Sequence, residues 1–255
     1  AGVSFIHQFI VGKIVVIQEQ ALSKLANAMR IYGEAHMNFN RLKLVDAEEA
    51  IDNLDRAMEA KLEAFHSLYD VTKDLFDYFD HADTAVLILL RNAVHHRNHL
   101  LFKTWNQEMG LNDGHKKYLG AEFLLASHNI LTNGHKMKHL YKLEDFYLRV
   151  DASLGSPFLE DRMSDKNRQK LLNQLENDLS FGELKKYAQG ERYPLKQVYV
   201  NIIPIYISAA VKVFKALNDQ GVKFVGFDAN AYKEAFTNEL AVDLGSFDYS
   251  TIRIL

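Results

Sequence analysis

In two stretches between Ile6 and Phe79 apolar residues return at every third or fourth position, a spacing that a helix buries on one side and a strand does not. Ile6, Ile10, Ile14, Ile17, Ala21, Leu25, Ala28 and Tyr32 set one stripe and predict a helix from about Ser4 into the low forties. Ile51, Leu54, Met58, Leu62, Phe65, Leu68, Phe76 and Phe79 set a second, from about Asp46 to Asp80, with a break near Asp70. Turn residues are scarce: 3 prolines and 13 glycines in 255 residues are too few for a sandwich or a propeller. A hydrophobic share of 48% against 25% charged residues is enough for a sizeable core.

A third helix is expected to open at Asp83, a good N-cap residue, and to run through the apolar stretch Ala85–Leu90. Residues 108–120 read as a loop. Further helices are predicted at about 121–131, 136–146, 164–179, 205–219 and 229–241, with Pro204 opening the fourth of these and Gly221 closing it. Lys223 to Phe227 reads as a short extended piece. The fold class expected is therefore all-α, an antiparallel bundle of four to five long helices with a C-terminal helical extension. Ser153–Pro157 is the best boundary, dividing 1–150 from 151–255, unless the two pack as one domain.

Composition closes several functional classes. No cysteine means no disulfide, no thiolate zinc site and no cysteine nucleophile, and it fits a reducing, cytoplasmic setting. The apolar stretch Val3–Ile17 is broken by His7, Gln8 and Lys13, so neither a signal peptide nor a membrane span is expected. There is no phosphate-binding Gly-x4-Gly-Lys pattern around Lys116-Lys117 and no Gly-x-Ser-x-Gly elbow. Phe65, Phe76, Phe79, Phe102 and Trp105 are read as core residues, and so are Tyr193, Tyr199 and Tyr206.

Charge is unevenly spread. The net of −3 excludes a bulk polycation. Residues 45–83 hold twelve Asp and Glu against three Lys and Arg, a solvated face or a docking surface for a basic partner. Residues 91–142 reverse the sign, with eight Lys and Arg against three acids, and contain seven of the eleven histidines. Such a region suits a polyanion.

At its start stands Arg91-Asn92-Ala93-Val94-His95-His96-Arg97-Asn98-His99, a polar cassette interrupting an apolar helix. Arginine can clamp a phosphate, histidine can pass a proton near neutrality, and asparagine can hold an imidazole in place. Together they suit metal-free RNA cleavage. On a straight helix Arg91 and His95, four apart, are neighbours, whereas Arg91 and His96 are about 140° apart. Either the helix ends or distorts here, or two copies combine their stripes in a symmetric dimer.

Arg91-Asn92-x-x-x-His96 resembles the Arg-polar-x-x-x-His signature of the HEPN superfamily (higher eukaryotes and prokaryotes nucleotide-binding domains), and the apolar run Val86–Leu90 ahead of it is similar too. The resemblance covers about residues 40–145. It implies a helical, metal-independent endoribonuclease that acts as a homodimer with the motif at the interface, of the toxin or antiphage-effector kind. Arg91 would contact the scissile phosphate, Asn92 would support the site and His96 would transfer protons, with His95 as the other choice. Arg97, His99 and Lys103 are assigned to RNA binding. No cofactor, metal or membrane is expected, and an antitoxin or regulatory protein is the expected restraint.

Two other readings stand beside it. His95/His99 and His135/His139 are both spaced i,i+4 and could pair into a zinc site, while Glu63-x-x-His66 is half of a di-iron motif. Alternatively Arg91, Asn92 and the histidines form a closed polar network with the acidic helix, and the chain is an interaction scaffold.

Overall fold

The structure is a computed structural model that describes residues 2–96, 100–132 and 136–255; the side chains of 2–15 and of His96 lie outside what is described. The two leading helices form where the apolar stripes predict them. Helix α1 spans Gly2–Lys43 and α2 spans Ala47–Thr72. They pack along their length, burying Leu22, Leu25 and Tyr32 against Leu54, Met58, Leu62 and Phe65. Asp46 caps α2 by accepting the Glu49 N–H at 2.9 Å. The helix stops near the expected break, where Thr72 Oγ1 turns to the Tyr78 hydroxyl at 2.7 Å.

Helix α3, Ala82–His96, is buried from Ala82 to Leu90 and packs on α2. Its first turn differs from expectation. The Ala85 N–H bonds back to His81 O, so the helix starts ahead of Asp83. Asp83 is instead a fully buried anchor, accepting Thr84 N–H at 2.9 Å, Ser208 Oγ at 2.6 Å and Lys212 Nζ at 2.7 Å. The short α4, Trp105–Gly110, opened by a capping box between Thr104 and Gln107, runs into the start of the expected loop at 108–120, whose middle forms a single 3-10 turn at Gly114–Tyr118.

The all-α expectation is overturned beyond Ala121. Strand β1, Glu122–Ile130, occupies the segment predicted as a helix. The segment predicted as a helix at 136–146 holds β2, Leu140–Lys142, followed by α5, Leu143–Val150. Strands β3, Val198–Asn201, and β4, Val242–Arg253, complete a four-stranded mixed sheet in the order β2-β3-β1-β4. β1 is parallel to β3 (Leu124 opposite Val198) and antiparallel to β4, with a bulge between His128 and Asn129. β1 reads like a helix because Phe123 to Ala126 are buried on both faces, which removes the alternation that marks a half-exposed strand. Leu124 and Ala126 join the main core, while Phe123 and Leu125 join a smaller cluster with Met109, Leu140 and Tyr199 on the opposite face.

The remaining helices are α6, Asp165–Asn177; α7, Phe181–Gly190; α8, Ile202–Asp219; and α9, Phe227–Glu234, which runs into a π-helical turn at Ala235–Glu239. Pro204 lies in the first turn of α8, and Gly221, at φ +78°, follows its end. Asn201 caps α8 and ties it to the sheet: it accepts His139 N–H at 2.9 Å and donates to Ser127 Oγ at 3.1 Å. The sheet draws strands from both sides of residue 150, and one buried core runs from Leu22 to Phe236. Among the described residues no helix is long and apolar enough to cross a membrane.

Candidate functional site

The polar cassette falls on the last turns of α3. Ala93 stays buried, Arg91, Asn92 and Val94 are half-buried and His95 is exposed. Arg91 and His95, one turn apart, project from the same edge of the helix toward α2. There Glu63 meets both: its Oε2 lies 2.8 Å from Arg91 Nη2 and its Oε1 2.8 Å from His95 Nδ1. Arg91 Nη1 also donates to Asn92 Oδ1 at 3.2 Å, while its Nε is buried without an acceptor among the described residues.

These groups line an open groove of about 340 Å³ between α2 and α3, with Arg56 and Glu59 on its rim. The side chains of Arg91, Glu63 and His95 are 18%, 35% and 52% exposed, so the cassette is neither sealed nor fully solvated. Burial works to raise the Glu63 pKa, but the Arg91 hydrogen bond and charge, with His95 and His66 behind them, outweigh it. The carboxyl is held below its usual range. His66, on the same helix, is pushed down by burial first and by Arg91 second, against the pull of Asp70 at 3.2 Å. A positive guanidinium, a carboxylate and an imidazole thus share one solvent-accessible cleft.

Asn92 points to the other side of α3. It lines a second groove, of about 280 Å³, between α3 and α6, beside Arg162 and Lys170. Phe79, expected in the core, is 39% exposed and forms part of this groove's wall. Beyond the cassette the chain is pinned at Phe102, whose backbone sits at φ +59°. Its N–H donates to Asp145 at 2.6 Å, and its ring packs on Tyr141 and Phe146. A bulky residue in the left-handed region is strained and persists only where its surroundings fix it.

Of the residues singled out in the sequence, the structure brings Arg91 and His95 together in the α2–α3 groove; Asn92 accepts from Arg91 but faces the α3–α6 groove. The His96 side chain, Arg97 and His99 lie outside the described residues. Lys103 is exposed ahead of α4; it acts on Glu108 and does not line the Arg91 groove. Glu63 is the residue at this site that sequence reasoning did not name: it pointed only to the acidic helix as a whole as a possible partner of Arg91. Its place on an acidic helix and its Glu-x-x-His spacing were visible, but neither names a partner 28 residues away.

The zinc reading involves His99 and His135, which lie outside the described residues. Of its other two members, His95 faces Glu63, and His139 is buried; the His139 Nε2 lies 3.1 Å from the Tyr141 hydroxyl, and burial pushes its pKa down to about 3. Glu63 and His66, the half di-iron motif, are engaged with Arg91 and Asp70. Among the described residues no three His, Cys, Asp or Glu side chains converge as metal ligands. Comparison of the chain with family models, with curated proteins and with solved structures finds no match.

Proposed function

We propose that this protein is an endoribonuclease that cleaves RNA by attack of a ribose 2′-hydroxyl on the adjacent phosphate. The observation that carries the reading is the placement of Arg91 and His95 on one edge of an open groove, joined through Glu63. Bonding to Glu63 requires a proton on His95 Nδ1, so in the neutral ring the lone pair is on Nε2. Glu63 thereby fixes both the tautomer and the plane of the ring, the part that a carboxylate plays behind a catalytic histidine.

In this reaction the imidazole takes the 2′-hydroxyl proton, the 2′-oxygen bonds to phosphorus, and the bond to the 5′-oxygen breaks. The departing oxygen receives a proton, leaving a 2′,3′-cyclic phosphate and a 5′-hydroxyl. Arg91 faces the charge that gathers on the phosphoryl oxygens. A second imidazole for the leaving group comes from a second copy of the chain, which would place two such grooves against each other. His95 is the proton-transfer residue that adjacency to Arg91 favours, where the family spacing favours His96. The likeness to the HEPN signature supplies the metal-independent chemistry and the toxin or antiphage role, restrained by a partner protein, and the absence of cysteine fits a cytoplasmic setting.

The test is cleavage of a labelled RNA by purified protein in EDTA, with the wild type beside Arg91→Ala, His95→Ala and His96→Ala. Cyclic-phosphate products from the wild type, lost in Arg91→Ala and in one histidine variant, support the reading. Cleavage abolished by chelator, or retained when Arg91 and both histidines are removed, overturns it.

A second reading has its own observation. Glu63 engages Arg91 Nη2 within the chain, and the guanidinium is mostly covered. A scaffold built around that ion pair would be as stable, would cleave nothing and would leave cells growing when expressed. Expression of wild type and Arg91→Ala in a bacterium separates the two: growth arrest by the wild type alone belongs to the enzyme.

A further inference from the structure

A second cavity, unrelated to the α2–α3 groove, lies where α1, α2, α8 and α9 meet and has a volume of about 250 Å³. Its wall is apolar over most of its extent, with Met29, Ile203 and Phe236 prominent. Phe236 belongs to the π-helical turn that follows α9, and such turns often sit at functional sites because they re-aim side chains.

Lys61 of α2 opens into this cavity. The residue is only 4% exposed, and its ammonium is held between two rings, 3.9 Å from the Tyr32 centroid and 4.0 Å from that of Tyr206. Among the described residues it has no hydrogen-bond or ion-pair partner, and no carboxylate is among those that line the cavity. Among the described residues the only other charged group there is also a cation, Lys136. The ring faces attract the ammonium but do not replace the hydrogen bonds that it gives up on leaving water. A buried cation that faces an apolar cavity and lacks a counter-ion is matched by a ligand that brings one.

We propose that this cavity binds a small amphipathic anion, a monocarboxylate whose head meets Lys61 and whose hydrocarbon body fills the apolar wall. The volume suits a short chain. A cavity of about 150 Å³ takes benzene, so this one, at about 250 Å³ and open on one side, takes a body of roughly eight carbons. The site is distinct from the proposed nuclease groove and does not depend on it.

The probe is octanoate, titrated calorimetrically into the full chain at pH 6, where Lys61 carries its proton and octanoate is ionised, with octan-1-ol as the uncharged control of the same length. Octanoate is expected to bind with a Kd below about 1 mM and to raise the melting temperature. Lys61→Met, which keeps the length of the side chain, should weaken octanoate at least roughly tenfold while leaving octan-1-ol unchanged. Ile207→Trp fills the cavity, leaves Lys61 in place and should abolish binding of both. Absence of octanoate binding to the wild type, equal binding to folded Lys61→Met, or binding retained by Ile207→Trp would each overturn the proposal.

Discussion

Glu63 holds Arg91 across the α2–α3 groove, Oε2 to Nη2 at 2.8 Å, and with its other oxygen holds His95 at the same distance. One carboxylate therefore sets the position of the two groups on which the proposed chemistry depends.

Replacing Glu63 by Gln should lower RNA cleavage by about tenfold or more while leaving RNA binding nearly unchanged, since the ring loses its orientation and the groove keeps its cation. A double-mutant cycle with Arg91→Ala should give a coupling of roughly 1 kcal/mol, as for partly exposed pairs. The Glu63 pKa lies below its unfolded value, so the pair's contribution is present above the ordinary carboxylate range. It is lost only as pH falls through the lower, folded value. Urea denaturation of the wild type and of the variants across acid pH measures both effects.

Lys61 titrates at about 7 in the folded protein, lowered by burial from 10.5. Between these values the unfolded chain carries a proton that the folded chain lacks, so stability rises with pH by roughly 1.4 kcal/mol per unit from this residue. Lys61→Met removes that slope. The difference in unfolding free energy between the variant and the wild type should favour the variant at pH 7 and shrink toward pH 9.

His128 behaves in the opposite pH range. Its ring is 2% exposed, packs on Phe247 and bonds to Leu179 O through Nε2 at 3.0 Å. Burial lowers its pKa to about 4, against the pull of that carbonyl and of Asp243. Below the ordinary value of 6.5 the unfolded chain takes up the proton first, and stability is lost as pH falls toward 4. The wild type should lose roughly 2–3 kcal/mol more than His128→Gln between pH 7 and 4.5, measured by urea denaturation.

Asp83 ties α3 to α8 through Ser208 and Lys212. Asp83→Ala should cost about 2–3 kcal/mol in chemical denaturation, and Asp83→Asn less, because the amide keeps the volume and part of the hydrogen bonding. A cost below about 0.5 kcal/mol would mean that the two helices are held by apolar packing alone.

The leading half of the fold was legible because α1 and α2 each bury one stripe, which is written in spacing, and α3 is a continuous apolar run that stands out between polar segments. The sheet was not. β1 is covered on both sides and shows no alternation, β2 and β3 are three and four residues long, and β4 alternates only across a bulge opposite His128. Their pairing is decided by partners more than fifty positions apart, as with Lys142 and Tyr199 or Leu124 and Val198, and no local window contains that information. At the site, Arg91, Asn92 and His95 could be picked out by residue type. Glu63 could not, because the approach of α2 to α3 selects it from among twelve acids.

β1 carries one further consequence, for the chain as it is made. It lies in the interior of the sheet, yet both its neighbours are synthesised later: β3 begins at Val198 and β4 at Val242. Until the ribosome has delivered them, Phe123 to Ala126 form an apolar ribbon with two open edges, a template for pairing with any strand nearby. Nascent chains released between Ile130 and Val198 should therefore aggregate or recruit a chaperone, even though the α2–α3 groove upstream already has every residue it needs.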